Sequence, residues 1–288
     1  MPTFTSPVVS TQWLADYLGS DKLVLLDATA LPYTQPNGQA GYVSGEESYL
    51  VNGHIPGAVF ADVIDQFSDA SGTYPLTRPT KEQFEAAAGS VGIDNETTVV
   101  VYDAAVGQWS ARIWWLFRAF GYDRVAVLDG GLAKWISEGR EIVLGYVAPT
   151  PAVFTAVERP ELWVDKGDVE AIVGGEADGA LVCGLPPKEF TGEGGHRARR
   201  GHIPGSRSVP AGRLVDRESN ALLTEDDLRA AFGPTLESER VVTYCAGGIA
   251  ATANALALTI LGHRNVAVYD GSLNEWVADP AAPVVTLA

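Results

Sequence analysis

Cysteine is scarce in this chain of 288 residues, in which only Cys183 and Cys245 occur. Two cysteines cannot build the disulfide framework that is typical of small secreted proteins. Together with the four histidines they show no C-x-x-C or H-x-x-x-H spacing, so we expect no metal site. We therefore expect reduced cysteines and a cytoplasmic protein.

Positively charged residues are outnumbered by negatively charged ones, 20 to 36, and long apolar runs are lacking. The formal net charge is −16, which argues against a nucleic-acid partner because binding phosphates needs a basic face. No apolar run is long enough to span a bilayer, and residues 1–6 do not form a basic region followed by an apolar one, so neither a membrane span nor a secretory signal is expected. Hydrophobic residues make up 46% of the chain, enough for the core of one large or two medium domains.

The stretch 241–252 carries the clearest chemical signal. It reads as a buried strand ending at Tyr244, then Cys245, then a loop of small residues that leads into a helix reaching about Leu261. Backbone N–H groups in such a turn can point at one atom, and the helix adds the positive end of its dipole. Gly247 and Gly248 allow the loop to curl tightly around the sulfur. This context favours a nucleophilic Cys245, although a buried packing role for a lone cysteine is the alternative.

The chain contains two copies of one pattern in which strands alternate with helices. The paired segments are the Gly-His-Ile-Pro-Gly motifs at 53–57 and 201–205, the capped helices at 80–91 and 224–232, the strands at 99–103 and 241–245, and the segments 128–135 and 269–276. The repeat predicts two α/β units with mainly parallel sheets. Where the second copy has Cys245, the first has Asp103, which indicates one active and one structural half.

The proline-rich stretch 146–160 predicts a linker between a first domain at 1–145 and a second at 161–288. A helix is expected from the Ser10 N-cap to Leu18. The residues between Asp27 and Asn52 read as one long polar, glycine-rich loop.

In this order and arrangement, the motifs resemble those of the two-domain rhodanese-type sulfurtransferases, from about Leu25 to Trp276. The resemblance implies two tandem rhodanese-like domains, the first of them non-catalytic. It also implies that Cys245 takes a sulfur from thiosulfate or 3-mercaptopyruvate, holds it as a persulfide, and passes it to cyanide or a thiol, with a thioredoxin-like protein as one acceptor to consider. The persulfide and the small anionic donor would be bound by the loop of Ala246, Gly247, Gly248, Ile249 and Ala250, without a cofactor.

The loop departs from both of the family's common patterns. Thiosulfate enzymes often carry Cys-Arg-x-Gly, and mercaptopyruvate enzymes often carry Cys-Gly-Ser-Gly, whereas this chain has Cys-Ala-Gly-Gly. Glu189 stands where the family commonly has an arginine, and Cys183 stands where an aspartate usually ends the first strand of the active domain. These changes preserve the reaction type and leave the donor open.

Several other residues are candidates for the site. Arg197 and Arg199 are candidates to clamp an anionic donor, with a solvated basic loop as the alternative. His54 is a candidate to face Cys245. The alternative for His54, and the favoured role of His202, is to tie backbone groups together before the Pro-Gly turn. Cys183 is interpreted as a buried core thiol, with a redox partner of Cys245 as the alternative.

Two other functions are alternatives to sulfur transfer. A cysteine-dependent phosphatase needs an arginine at the sixth position after the cysteine, and that position is Ala251. A non-catalytic sulfur carrier or regulatory binding module stays open, because the loop has no charged residue. The oligomeric state is not determined by the sequence.

Overall fold

The computed structural model of the chain describes residues 2–34, 40–195 and 197–287. It divides into two compact units. Unit 1 comprises Met1–Ser71, Arg78–Arg159 and Val215–Leu222, and unit 2 comprises Gly72–Thr77, Pro160–Leu214 and Leu223–Ala288. Each unit therefore includes a short segment from the other half of the sequence.

Unit 1 is an α/β unit whose strands and helices alternate along the chain. Its elements are β1 (Val8–Val9), α1 (Thr11–Tyr17), β2 (Leu23–Asp27), β3 (Ala30–Thr34), β4 (Ala40–Ser44), α2 (Glu46–Asn52), β5 (Val59–Phe60), α3 (Lys81–Ser90), β6 (Thr98–Tyr102), α4 (Gln108–Ala119), β7 (Val125–Leu128) and α5 (Gly131–Ser137). Five strands form a parallel sheet in the order β1-β7-β6-β2-β5. The central strands β6 and β7 are buried along their whole length, as expected when helices cover both faces of a sheet.

Unit 2 repeats this architecture. Its elements are β8 (Trp163–Val164), α6 (Lys166–Gly174), β9 (Ala180–Cys183), α7 (Pro187–Thr191), β10 (Arg207–Ser208), α8 (Glu225–Phe232), β11 (Val241–Tyr244), α9 (Ile249–Ile260), β12 (Val266–Tyr269) and α10 (Ser272–Trp276). The five strands again form a parallel sheet, in the order β8-β12-β11-β9-β10. Strand by strand this is the order found in unit 1, so the sequence repeat is a repeat of structure.

The helix starts predicted from capping residues are confirmed. The Ser10 side chain accepts a hydrogen bond from the N–H of Trp13, and Thr80 forms a complete capping box with Gln83. Thr224 caps α8 as Ser10 caps α1, by accepting a hydrogen bond from the N–H of Asp227. In each helix the capping residue and its partner are three residues apart, which is why the sequence alone reveals the helix start.

The prediction of one long loop before Asn52 is wrong. The structure has an antiparallel hairpin there, in which Ala30 pairs with Ser44 and Thr34 with Ala40, followed by α2. Most of β3 and β4 is exposed or half-buried, so neither strand shows the apolar alternation by which a strand is recognised in a sequence.

The stretch 146–160, which is predicted to be a linker, contains no α-helix or β-strand, and a short 3-10 helix begins at its last residue, Pro160. It is nevertheless anchored to unit 1 by the N–H groups of Ala152 and Val157, which donate to the carbonyls of Gly89 and Phe120. Phe154 is buried among the aromatic rings of unit 1. Among the residues described, no helix has the length and apolar character needed to cross a membrane.

Candidate active site

Cys245 immediately follows β11, the middle strand of the sheet of unit 2. A three-residue loop, Ala246 to Gly248, connects it to α9, a helix of twelve residues. The cysteine is reduced and 2% exposed. It therefore lies at the carboxyl edge of a parallel sheet, where ligands of such folds bind.

Glycine is required at two positions of the loop for different physical reasons. Gly248 is the N-cap of α9 and has φ +80°, in the left-handed region that favours glycine. Gly247 is not left-handed, but a Cβ there would lie 3.0 Å from the Asn274 side-chain nitrogen and 3.5 Å from the Pro75 carbonyl oxygen. Gly248 is thus needed for the backbone turn, and Gly247 for the space it leaves.

The first turn of α9 presents N–H groups towards the cysteine end of the helix. The first N–H groups of an α-helix have no carbonyl partner within it, and here they belong to Gly248, Ile249, Ala250 and Ala251. Together with the positive end of the helix dipole they form a site suited to an anion. Most of the residues that follow are buried, and apart from Thr252 and Asn254 the buried ones are apolar, which holds the helix against the sheet.

Unit 1 shows an anion bound in the equivalent place. Asp103 follows β6 as Cys245 follows β11, and its carboxylate accepts five hydrogen bonds. Oδ1 accepts from the N–H groups of Ala105 (2.8 Å) and Gly107 (3.1 Å). Oδ2 accepts from the N–H groups of Trp109 (3.0 Å) and Ser110 (2.8 Å), and from the Ser110 hydroxyl (3.0 Å).

The two turns differ by one residue, since four residues join Asp103 to α4 and three join Cys245 to α9, but the two helices can be aligned through their N-caps. Gly107 (φ +82°) and Gly248 (φ +80°) are the left-handed N-caps of α4 and α9, which have the same length. Counting from these caps, Trp109 and Ser110 correspond to Ala250 and Ala251. The N–H groups of Ala250 and Ala251 are therefore the expected donors to a negative charge carried by Cys245. Ala251 lay outside the loop proposed from the sequence, and only the shared register of the two helices identifies it.

Backbone bonds fix the cysteine loop from the C-terminal side. The N–H of Leu273 donates to the Cys245 carbonyl (3.2 Å), and the N–H of Asn274 donates to the Ala246 carbonyl (2.9 Å). The same contact exists in unit 1, where the N–H of Leu132 donates to the Asp103 carbonyl. The segment 269–276 in unit 2 and its counterpart 128–135 in unit 1 thus support the equivalent turn in the same way.

Arg197 and Arg199 each have a partner within unit 2. Arg197 forms an ion pair with Glu189 (2.9 Å), the residue that replaces the expected arginine. Arg199 donates from both terminal nitrogens to backbone carbonyls, those of Asp279 (2.5 Å) and Ala282. The guanidinium of Arg199 is accordingly engaged by the chain itself, whereas Arg197 has further N–H groups besides the one that donates to Glu189.

His54 and His202 occupy matching positions in the two units. Each ring stacks on an aromatic side chain, His54 on Tyr49 at 3.8 Å and His202 on Phe190 at 3.7 Å between centroids. In each case Nδ1 lies within hydrogen-bonding distance of the backbone carbonyl of that same aromatic residue. Because the unit without a cysteine keeps the same arrangement, the shared role of these histidines is to organise the backbone.

Cys183 lies in the core next to the active strand. It pairs in register with Tyr244 on the neighbouring strand β11 and is fully buried. Burial raises the pKa of the Cys183 thiol to about 12, and the nearby Cys245 acts in the same direction. Such a thiol is almost entirely protonated at neutral pH, which fits the interpretation of Cys183 as a core residue.

No cluster of three or more metal-ligating side chains was found in the part of the chain that the structure describes. Its two cysteines are both reduced and both buried.

Comparison with known proteins identifies what this arrangement resembles. The family model described as "Rhodanese-like domain" matches twice, at residues 10–138 and 185–279. A 3-mercaptopyruvate sulfurtransferase of Escherichia coli O157:H7 is 34% identical, over 98% of this chain and 99% of its own. A thiosulfate sulfurtransferase of Cricetulus griseus is 33% identical, over 93% and 91%. Among solved structures, the 3-mercaptopyruvate sulfotransferase SseA of Escherichia coli matches with a TM-score of 0.82 and 32% identity, covering 93% of this chain and 99% of that one.

Proposed function

Because the chain belongs to the rhodanese-like family and is a sulfurtransferase like its relatives, we propose that Cys245 is the residue that carries the transferred sulfur. The turn after β11 is the only one of the two equivalent turns with a nucleophile at its first position, since the other has Asp103. We propose rhodanese-like domains with the limits expected from the sequence, 1–145 and 161–288, of which the second is catalytic.

The reaction has two steps, both at the sulfur of Cys245. In the first, the Cys245 thiolate attacks the transferable sulfur of the donor and forms an S–S bond, while the bond from that sulfur to the rest of the donor breaks. Sulfite leaves with the bonding electron pair if the donor is thiosulfate, and pyruvate is released, after protonation, if it is 3-mercaptopyruvate. In the second step, cyanide or a thiolate attacks the outer sulfur, and the S–S bond breaks to regenerate the Cys245 thiolate.

The single observation that carries this proposal is the Asp103 cradle of unit 1. There the fold binds a full negative charge with five donors at the position equivalent to Cys245. A thiolate and a persulfide are anions of the same charge, so the N–H groups of Ala250 and Ala251, which correspond to those of Trp109 and Ser110, are proposed to stabilise both forms of the cysteine. The proposed binding loop is Ala246, Gly247, Gly248, Ile249 and Ala250, with Ala251 added.

The donor that the site favours is 3-mercaptopyruvate rather than thiosulfate. Thiosulfate carries two negative charges, and neither the loop nor α9 contains a basic side chain to balance the second one. Arg197, already paired with Glu189, can offer its remaining N–H groups to a single carboxylate. Of the substrate residues predicted from the sequence, we retain Arg197 as the first candidate, with Arg199 and His54 behind it.

The acceptor is proposed to be a small thiol or cyanide, with a thioredoxin-like protein as a macromolecular source of the thiol. A cytoplasmic location is proposed on the ground that a reducing compartment keeps Cys245 available as a thiolate. Nucleic acid is not proposed as a partner, because the chain carries a net charge of −16.

The alternative of a cysteine-dependent phosphatase is disfavoured by the site itself. Such an enzyme grips phosphate oxygens with an arginine that follows the cysteine on the loop or the first helical turn. In this chain that region consists of small and apolar residues, with Ala251 at the position in question. A sulfur carrier without turnover remains as the second candidate, and the experiment below distinguishes it.

The test is the intact mass of the protein after brief incubation with 3-mercaptopyruvate or with thiosulfate, followed by addition of cyanide. The proposal expects the wild type to gain one sulfur atom, preferentially from 3-mercaptopyruvate, and to lose it to cyanide as thiocyanate. Cys245→Ser is expected to gain none, while Cys183→Ser serves as the matched control and still gains one. A Cys245→Ser protein that gains sulfur would contradict the assignment, and a wild-type protein that gains sulfur but never releases it would favour the carrier.

A further inference from the structure

Ser272 has a backbone conformation that serine rarely adopts. Its φ is +50°, in the left-handed region, and its side chain is fully buried at the start of α10. A non-glycine residue in this region costs conformational energy and calls for a compensating interaction. The equivalent residue in unit 1 is Gly131, with φ +52°, and glycine has no such cost.

The compensating interactions of Ser272 all involve the cysteine loop and its support. The Ser272 hydroxyl accepts hydrogen bonds from the N–H groups of Cys245 and Gly248, both at 3.1 Å. It donates its own hydrogen to the Tyr269 carbonyl at 2.7 Å. One buried side chain therefore joins the first residue of the loop to the N-cap of α9.

Unit 1 solves the same problem differently. There the N–H of the N-cap, Gly107, donates to the Asp103 carboxylate. Gly131 has no hydroxyl, and a Cβ at that position would lie 2.4 Å from the Asp103 carbonyl oxygen. A cysteine has a single side-chain acceptor atom, so in unit 2 the N-cap N–H needs another partner, and the Ser272 hydroxyl is that partner.

We propose that Ser272 is a positioning residue for sulfur transfer: its hydroxyl holds the backbone of Cys245 and Gly248 so that the N–H groups of Ala250 and Ala251 stay aimed at the reacting sulfur. This inference rests on the proposed role of Cys245. Because the hydroxyl already accepts from the N–H groups of Cys245 and Gly248, the N–H groups of Ala250 and Ala251 remain the donors expected at the sulfur. Ser272 touches neither donor nor acceptor in this role.

The hydroxyl and the backbone strain are separable by two substitutions at this position. Ser272→Ala removes the hydroxyl and keeps a Cβ in the left-handed region, whereas Ser272→Gly removes both the hydroxyl and the strain. The control is Ser110→Ala in unit 1, which deletes a buried hydroxyl that donates to Asp103. For each protein the measurements are sulfur uptake by intact mass, kcat and donor KM, and the thermal midpoint Tm.

If Ser272 positions the loop, both variants lose kcat by about 10- to 100-fold, the range expected when reacting groups are misplaced on a small scale. The donor KM changes by less than about twofold, because the hydroxyl contacts the loop and not the donor. Ser272→Gly has the higher Tm of the two and yet is no more active. Ser110→Ala lowers Tm without lowering kcat, which shows that loss of stability alone does not reproduce the effect.

Three results would overturn the inference. If the wild type takes up sulfur and Ser272→Gly matches its kcat, the hydroxyl has no positioning role and Ser272 is a structural residue only. If kcat falls in Ser110→Ala to the same extent as in Ser272→Ala, the loss reflects general destabilisation. A wild type that takes up no sulfur overturns the proposed function first, and the role of Ser272 with it.

Discussion

The carboxylate of Asp103 is predicted to contribute strongly to the free energy of unfolding of unit 1. The change Asp103→Ala removes the acceptor of five hydrogen bonds and leaves their donors in place. Three of these bonds, from Trp109 N–H, Ser110 N–H and the Ser110 hydroxyl, are buried, so water replaces the carboxylate only in part.

The size of the effect follows from those three bonds. A hydrogen bond to a charged group contributes about 1.5–3 kcal/mol, which gives roughly 4–9 kcal/mol before any relaxation. Water entering the space of the lost side chain and reorientation of the loop reduce this, so we expect a loss of about 4 kcal/mol. With a urea dependence of about 2 kcal/mol per molar, the midpoint for unfolding unit 1 falls by about 2 M.

Tryptophan fluorescence during urea unfolding is the appropriate assay. Five of the seven tryptophans belong to unit 1, namely Trp13, Trp109, Trp114, Trp115 and Trp135, so the emission reports mainly on that unit. Because the chain has two units, the transition is fitted for unit 1 and not as one two-state process.

The control for this experiment is Asp69→Ala, which removes another carboxylate of unit 1. Asp69 also accepts several hydrogen bonds, from Ser71 and Gln83, but these lie at the solvent-exposed surface. Its midpoint is expected to change much less, since water takes over the lost bonds. An Asp103→Ala protein whose midpoint moves no further than that of Asp69→Ala would refute the argument that the turn is built around a bound anion.

Three other predictions concern unit 2. Gly248→Ala is expected to lower kcat at least about tenfold, because a Cβ at φ +80° strains the N-cap that aims the α9 N–H groups; a rate equal to that of the wild type would contradict it. Native protein at pH 8 is expected to take one alkyl group from iodoacetamide, on Cys245, because only about one in ten thousand Cys183 thiols is ionised when the pKa is about 12; equal labelling of both sites by peptide mapping would argue otherwise. Since the folded state raises this pKa above the ordinary value of 9.0, the stability that Cys183 contributes is complete below pH 9 and declines towards pH 12. Arg199→Ala is expected to lower Tm and to leave the donor KM nearly unchanged, because its guanidinium binds two backbone carbonyls. A large rise in KM at unchanged Tm would restore Arg199 as a ligand of the donor.

The sequence by itself determined the repeat, the longer strands of the two parallel sheets and the capped helices, and it singled out Cys245 as the candidate nucleophile. Each of these depends on residues that are close in the chain or on a comparison of the chain with itself. The apolar strand before Cys245 and the Ser10 and Thr80 caps are signals of this kind, because strand burial and helix capping act over a few residues.

Only the tertiary structure decided which groups surround those residues. The hairpin of β3 and β4 is held by pairing between segments whose own patterns are weak. The bonds from Cys245 and Gly248 to Ser272 join residues that are 27 and 24 positions apart, and nothing in the local sequence marks serine at a left-handed position as a support for the loop. The five donors around Asp103 likewise become visible only when the turn has closed, because they converge on one carboxylate through the geometry of a helix start. A nucleophilic cysteine is thus indicated by one residue and its local context, and the reaction type by the resemblance of motifs along the chain, whereas the positions of the groups around that cysteine follow from how distant segments pack.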